Sequence, residues 1–280
     1  MTDSPRVARL DADTLVERIA DITGVRFVVE GPCPGGEVGA AYVRWPDGRR
    51  SVLSEGHSRT GPLLDRARAA GVPTAKLELS AHIDGRRVIV QQCLPGAVPT
   101  PATTSASLVE QMVRVNARLR GLLADRPLVA PVELHLTTDG PGFCLHKPLI
   151  GYDRRTARLL DWVHEVGAAT PAITGDDLVH FDYHPFNVLV DRGRITGVID
   201  WDGADRFDGR FDLVTLQFHL RRWNPAATGP VDEALAGIPA DRYRAFWAHM
   251  SLRQIDWSIR HHDHATVDAW LDIAEPGTTI

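Results

Sequence analysis

At 280 residues, 44 % hydrophobic and 24 % charged, the chain exceeds one typical domain and holds ample material for a core. A formal net charge of −5 without any basic cluster argues against nucleic acid as a partner and allows an acidic pocket for a cationic molecule. Cys33, Cys93 and Cys144 lie far apart without metal-ligand spacing, so they read as buried or idle thiols in a reducing cytoplasm.

The amino-terminal stretch from Met1 to Asp11 has no apolar signal core, and no run approaches transmembrane length, so a soluble, cytoplasmic protein with no membrane partner is expected. Asp11 or Asp13 caps a predicted helix carrying Leu15, Val16, Ile19 and Ile22, which stops at Gly24. Short β-rich runs follow at Val25 to Glu30, Gly39 to Arg44 and Arg50 to Ser54, the latter two joined by the turn Trp45-Pro46-Asp47-Gly48. The first two flank a Gly-rich loop that contains Gly35 and Gly36 and serves equally as a plain hairpin loop. Arg87 to Gln92 is a further strand, and the Pro/Thr/Ser stretch from Pro99 to Ser107 reads as a connection. Leu108 to Leu123 and Ala157 to Val166 have helical spacing, and their apolar residues are core. Asp161 and Glu165 share one helical face, which reads as solvated.

The densest chemistry lies between His180 and Asp202. His180-Phe181-Asp182, followed by Asn187, has the spacing of a kinase catalytic loop, in which the Asp receives a hydroxyl proton and the Asn binds magnesium. Asn187 to Val190 and Ile195 to Ile199 are β-branched runs joined by Asp191-Arg192-Gly193-Arg194, a predicted hairpin with a four-residue loop. Pairing Val190 with Ile195 sets Asn187 opposite Val198, so Asn187 and Asp200 emerge together as two oxygen ligands. Downstream, Asp212 opens the apolar run Leu213, Val214, Leu216 and Leu220, where it serves equally well as a helix N-cap. His184 reads as a local packing or surface residue, and the run His261-His262-Asp263-His264 as a solvated helix end.

With these residues the chain resembles the aminoglycoside phosphotransferase and choline kinase family, a small-molecule branch of the kinase fold. The pattern continues through Ile199 to Ala204, Asp205 to Phe207 and Phe211 to Val214; Phe181 stands where most relatives have Gly. The resemblance implies an α+β, two-lobed, protein-kinase-like fold, with a small antiparallel-sheet amino-terminal lobe (1–93) that binds nucleotide. A larger, mainly helical lobe (94–280) would carry the catalytic-loop hairpin, the metal ligands and the substrate pocket. It further implies Asp182 as the base, Asn187 and Asp200 as ligands of Mg2+, and His180 and Asp212 as supports of the loop. Gly35 and Gly36 would cover the triphosphate of ATP or GTP, and Gln92 and Leu94 would belong to the hinge that binds adenine. Ser54 falls where relatives carry the phosphate-binding lysine. From Glu55 to Val72 no helix-borne Glu stands out as that lysine's partner, and Arg44, Arg50 and Arg59 are the candidate replacements.

Carboxylates near the cleft, Asp202, Asp205 and Asp256 among them, suit a small cationic substrate bearing a hydroxyl, although Asp205 reads equally as a turn residue. The expected activity is O-phosphorylation of an antibiotic, either an aminoglycoside or a cyclic peptide of the capreomycin and viomycin type, which the whole chain resembles in its phosphotransferases. A metabolic amino-alcohol or sugar kinase, with Trp201, Trp223, Trp247 or Trp257 as cation–π faces, is the first alternative. A nucleotide-binding regulatory pseudokinase, suggested by Ser54, is the second.

Overall fold

The computed structural model describes residues 11–34, 39–57, 59–126, 132–140 and 144–275. Asp11 caps α1 (Ala12–Thr23) by accepting from Thr14 N, and the apolar stripe buries Val16 and Ile19. Ile22, expected on that stripe, is exposed instead, because it falls off the face that meets the sheet.

An antiparallel sheet follows, made of β1 (Val28–Pro32), β2 (Ala41–Arg44), β3 (Arg50–Glu55), β4 (Leu77–Ile83) and β5 (Arg86–Gln92), with α2 (Thr60–Ala69) between β3 and β4. Its order is β1-β2-β3-β5-β4. β1 begins later than its β-branched run suggests, because Phe27 turns into a small core with Val43, Leu53, Val88 and Val90 and meets Trp45 edge-on at 4.7 Å. Burial alternates along β3: Ser51 and Leu53 face that core, while Val52 and Ser54 lie on the half-buried opposite face. α2 sits differently. Leu63, Leu64 and Ala67 pack into the larger core, and Arg66 grips Asp125 with both terminal nitrogens at 2.7 and 2.8 Å.

The second lobe contains α3 (Ala106–Arg118), α4 (Arg154–Ala169), β6 (Asp177–Val179), β7 (Val188–Asp191), β8 (Arg194–Val198), β9 (Asp205–Phe207), α5 (Arg210–Trp223), α6 (Gly229–Leu235), α7 (Ala240–His261) and α8 (His264–Ala274). α5 is buried on every side from Phe211 to Leu220, so its polar groups find partners inside: Gln217 donates to Asp232 at 2.6 Å and accepts from Tyr243 at 2.7 Å. No helix among the described residues is long and apolar enough to cross a membrane. The architecture is that of an α+β, two-lobed, protein-kinase-like fold.

The β7–β8 hairpin joins the lobes. Ala97 and Val190 exchange backbone hydrogen bonds at 3.0 and 2.9 Å, and Val198 N donates to Pro73 O at 2.7 Å. Gly96 makes the first contact possible: at φ +105 any Cβ would come within 2.9 Å of the Val190 carbonyl. The expected four-residue loop is a two-residue turn, Arg192-Gly193, with φ of 47 and 75, the positive pair that a tight hairpin requires. Val190 pairs with Ile195 as expected, but Leu189 pairs with Gly197, so Thr196 is an extra residue on β8. The bulge advances the register by one, and Asn187 opposes Ile199 instead of Val198, accepting from Ile199 N at 3.0 Å.

Candidate active site

Residues 180–187 run from the end of β6 into a short 3-10 turn that begins β7. The loop hangs on a buried carboxylate. Asp212 lies inside the first turn of α5, whose cap is Gly209, so it is not the cap the sequence suggested. It accepts from His180 N at 2.8 Å and Phe181 N at 3.0 Å. Burial pushes its carboxyl up to about 7, against the two amides that favour the charged form. His180, fully buried, donates from Nε2 to Ile199 O at 2.8 Å and accepts from Asp182 N at Nδ1 (3.3 Å), tying the loop to the strand end that carries Asp200. Burial keeps this imidazole neutral, lowering its pKa against the attraction of Asp182 and Asp200.

Asp182 stands at the centre. Its Oδ1 accepts from Arg253 Nη2 at 2.6 Å; its Oδ2 accepts from Asn187 Nδ2 at 2.9 Å and lies 3.2 Å from His184 Nε2. Partial burial works against the charge, yet the Arg253 guanidinium and His184 hold the carboxyl well below the usual carboxylate range. His184 is therefore a neighbour of the carboxylate and more than packing; its ring lies 4.4 Å from that of His219.

Asn187 spends its amide nitrogen on Asp182, donating also to the Asp182 carbonyl at 2.8 Å, which leaves its amide oxygen available. Asp200 is exposed, with φ 64 and no hydrogen-bond partner among the described residues. Asp202 accepts from Thr60 Oγ1 at 3.2 Å, and burial followed by the charge of Asp200 raises its pKa. A hard amide oxygen on Asn187, an unpartnered carboxylate on the residue after its backbone partner Ile199, and the Asp202 carboxylate in repulsion with that one are oxygen donors of the kind that fits Mg2+.

The remaining expected site residues divide. Asp205 pairs with Arg59 at the start of α2, and Asp256 pairs with Arg260 Nε at 2.8 Å, so neither carboxylate faces the cleft uncompensated. Ser54 lies on β3 opposite Ile89. Glu55 pairs with Arg86 at 2.9 Å and Asp65 with Arg68, so among the described residues no carboxylate of β3 or α2 is aimed at Ser54. Of the candidate replacements, Arg44 and Arg50 share Glu30, and Arg50 also covers the Tyr42 ring at 3.7 Å. Gln92 N donates to Lys76 O at 2.9 Å, and Leu94 packs over Gly197 of β8, between the lobes. Gly35 and Gly36 lie outside the described residues. Sequence reading missed Arg253: it stands on α7, 71 residues from its partner, with no local spacing to connect the two.

The sequence pattern of the phosphotransferase enzyme family, named for aminoglycoside phosphotransferases, matches residues 43–247. The chain belongs to that family. A curated member, hygromycin-B 4-O-kinase of Escherichia coli, is 34 % identical over 91 residues, a match spanning 29 % of this chain and 25 % of that protein. Among solved structures, a thermostable mutant of aminoglycoside phosphotransferase APH(4)-Ia, complexed with ADP and hygromycin B, superposes with a TM-score of 0.64 at 16 % identity, covering 95 % of this chain and 98 % of the other. Spectinomycin phosphotransferase APH(9)-Ia, bound to ADP and spectinomycin, gives 0.63 at 13 % identity and covers 96 % and 98 %. At these identities the phosphotransferase likeness speaks for the fold, and the family pattern for the class of enzyme.

Proposed function

We propose that this phosphotransferase transfers the terminal phosphate of ATP or GTP to a hydroxyl of a small cationic antibiotic, inactivating it. The observation that supports the reading is the Asp182 carboxylate, held anionic between Arg253 and the Asn187 amide nitrogen, which leaves the Asn187 amide oxygen without a partner among the described residues. In the reaction so read, the acceptor oxygen forms its bond to the terminal phosphorus as the bond to the bridging oxygen breaks and the nucleoside diphosphate leaves. Asp182 orients the hydroxyl and receives its proton; with so low a pKa, it acts mainly as a hydrogen-bond acceptor until the O–P bond is well formed. Asn187 and Asp200 would hold Mg2+, which neutralises the phosphate oxygens when bound. We assign nucleotide binding to 1–93 and the acceptor pocket to 94–280, with Asp202, which feels the charge of Asp200, as a further acidic group. The named substrates of the relatives, hygromycin B and spectinomycin, support an antibiotic acceptor; the cyclic peptides capreomycin and viomycin are the finer reading.

The test is mass spectrometry of capreomycin, viomycin, hygromycin B, spectinomycin and choline after incubation with the protein, Mg2+ and either nucleotide. A phosphoryl mass gain on an antibiotic is expected, and Asp182→Asn should abolish it while leaving nucleotide affinity within about threefold. Gain on choline alone would replace the antibiotic reading with a metabolic one. Nucleotide binding without turnover, for which Ser54 is the structural ground, would mark a pseudokinase.

A further inference from the structure

We infer that Arg253 is a positioning residue for phosphoryl transfer, acting on Asp182 from a helix outside the catalytic loop; the inference rests on the phosphotransferase reading of that loop. The guanidinium spans two consecutive residues: Nη2 donates to Asp182 Oδ1 at 2.6 Å and Nη1 to Phe181 O at 2.5 Å. One contact fixes the rotation of the carboxylate, and the other fixes the peptide that leads into it. Asn187 and His184 hold the second oxygen, so the carboxylate is restrained from both sides. The fork requires Arg, since an ammonium offers a point charge without paired, parallel donors.

α7 is a rigid mount. Ala245, Phe246, Trp247, Ala248, Leu252 and Ile255 are buried in the core, and Arg253 leaves that helix where it passes the loop. The pair is only partly buried, its side chains 37 % and 29 % exposed, so the carboxylate stays within reach of an acceptor. Orienting that carboxylate bears on the rate, because the attacking oxygen must be aligned with the phosphorus. The family pattern ends at residue 247, so Arg253 lies beyond the region it matches.

The experiment measures phosphoryl transfer to the antibiotic panel and, separately, phosphate release with water as the acceptor, for wild type, Arg253→Lys and Arg253→Ala, with melting temperature and nucleotide affinity measured alongside. For Arg253→Ala we expect kcat to fall about 100-fold in whichever reaction wild type performs, with nucleotide KM within about threefold. Guanidinium ion added at millimolar concentration should restore part of the loss, and Arg253→Lys should recover less than half of it on a logarithmic scale. A folded Arg253→Ala with kcat within threefold of wild type overturns the inference. So does a loss that guanidinium leaves untouched, or that Arg253→Lys repairs in full. Should Arg253→Ala fail to fold, Arg253→Lys decides: wild-type kcat overturns the role, and a loss in kcat at constant nucleotide KM supports it. Wild-type phosphate release without transfer would defeat the antibiotic reading and leave this test standing on hydrolysis; wild type inactive in both reactions would defeat both.

Discussion

Phe181 has φ +66 in the catalytic loop, a left-handed conformation that costs a residue with a Cβ about 1 to 2 kcal/mol. The ring offsets that cost by packing against Phe207 at 5.5 Å and Phe211 at 5.1 Å. Truncation separates the two effects. Phe181→Ala loses the ring and keeps the strain, for a destabilisation of about 3 kcal/mol; Phe181→Gly loses the ring and relieves the strain, and should be about 1 kcal/mol less damaging. Urea denaturation of both variants checks the order, and an Ala variant as stable as the Gly variant would contradict it. The resemblance pointed to this position because relatives have Gly there; the aromatic neighbours that compensate come from β9 and α5 and were not legible in the loop itself.

Among the elements, the β7–β8 hairpin does most to build the site, since its open end presents Asn187 and Asp200 and its edges bond to both lobes. Two glycines, one in its turn and one docked against its edge, test that account. Gly193, in the turn, has φ +75, and a Cβ there would meet nothing within 4 Å, so Gly193→Ala should cost only the backbone strain, about 1 kcal/mol. At Gly96 the strain is joined by collision with the Val190 carbonyl and with Thr196 Oγ1 at 2.6 Å. Gly96→Ala should therefore cost about 2 to 4 kcal/mol and raise nucleotide KM, whereas Gly193→Ala should leave KM unchanged. Equal costs, read from urea midpoints, would rule out close docking of the hinge on the hairpin. The alternation of β-branched residues made the hairpin legible, whereas the Thr196 bulge was not, because its stabilising contact is a hydroxyl donating to Pro95 O at 2.5 Å, 101 residues away in the chain.

On the scale of the whole molecule, buried imidazoles set the acid response. His180, His219 and His249 all have pKa values lowered by burial, His249 to about 4. An unfolded His titrates near 6.5, so below that pH the unfolded chain takes up protons that the fold refuses, and stability falls as pH drops from about 6.5 towards 4. Asp212, raised to about 7, works the other way: the folded state keeps its proton between about 4 and 7, and that contribution is lost as pH rises through 7. Asp202 and Asp256, also raised by burial, act in the same direction as Asp212, and against these carboxyls the three imidazoles are expected to prevail, leaving the unfolding free energy smaller at pH 5 than at pH 7. His249→Gln, which retains a donor for Leu134 O, should narrow the difference by at most about 1.4 kcal/mol per pH unit. Chemical denaturation at the two pH values measures it, and a wild type equally stable at both would refute the balance. Sequence by itself determined what short-range physics controls: a helix cap at Asp11 or Asp13, the Trp45 to Gly48 turn, the hairpin pairing of Val190 with Ile195, and the spacing that sets Asn187 beside Asp182. Those features depend on hydrogen bonds and side-chain periods spanning a few residues. Only the tertiary structure decided that Arg253 grips Asp182, that Arg59 neutralises Asp205, and that α2 packs into the larger core. Many arginines could have met each of those carboxylates, and the choice among them is made by helix packing, which brings together groups that no local pattern relates.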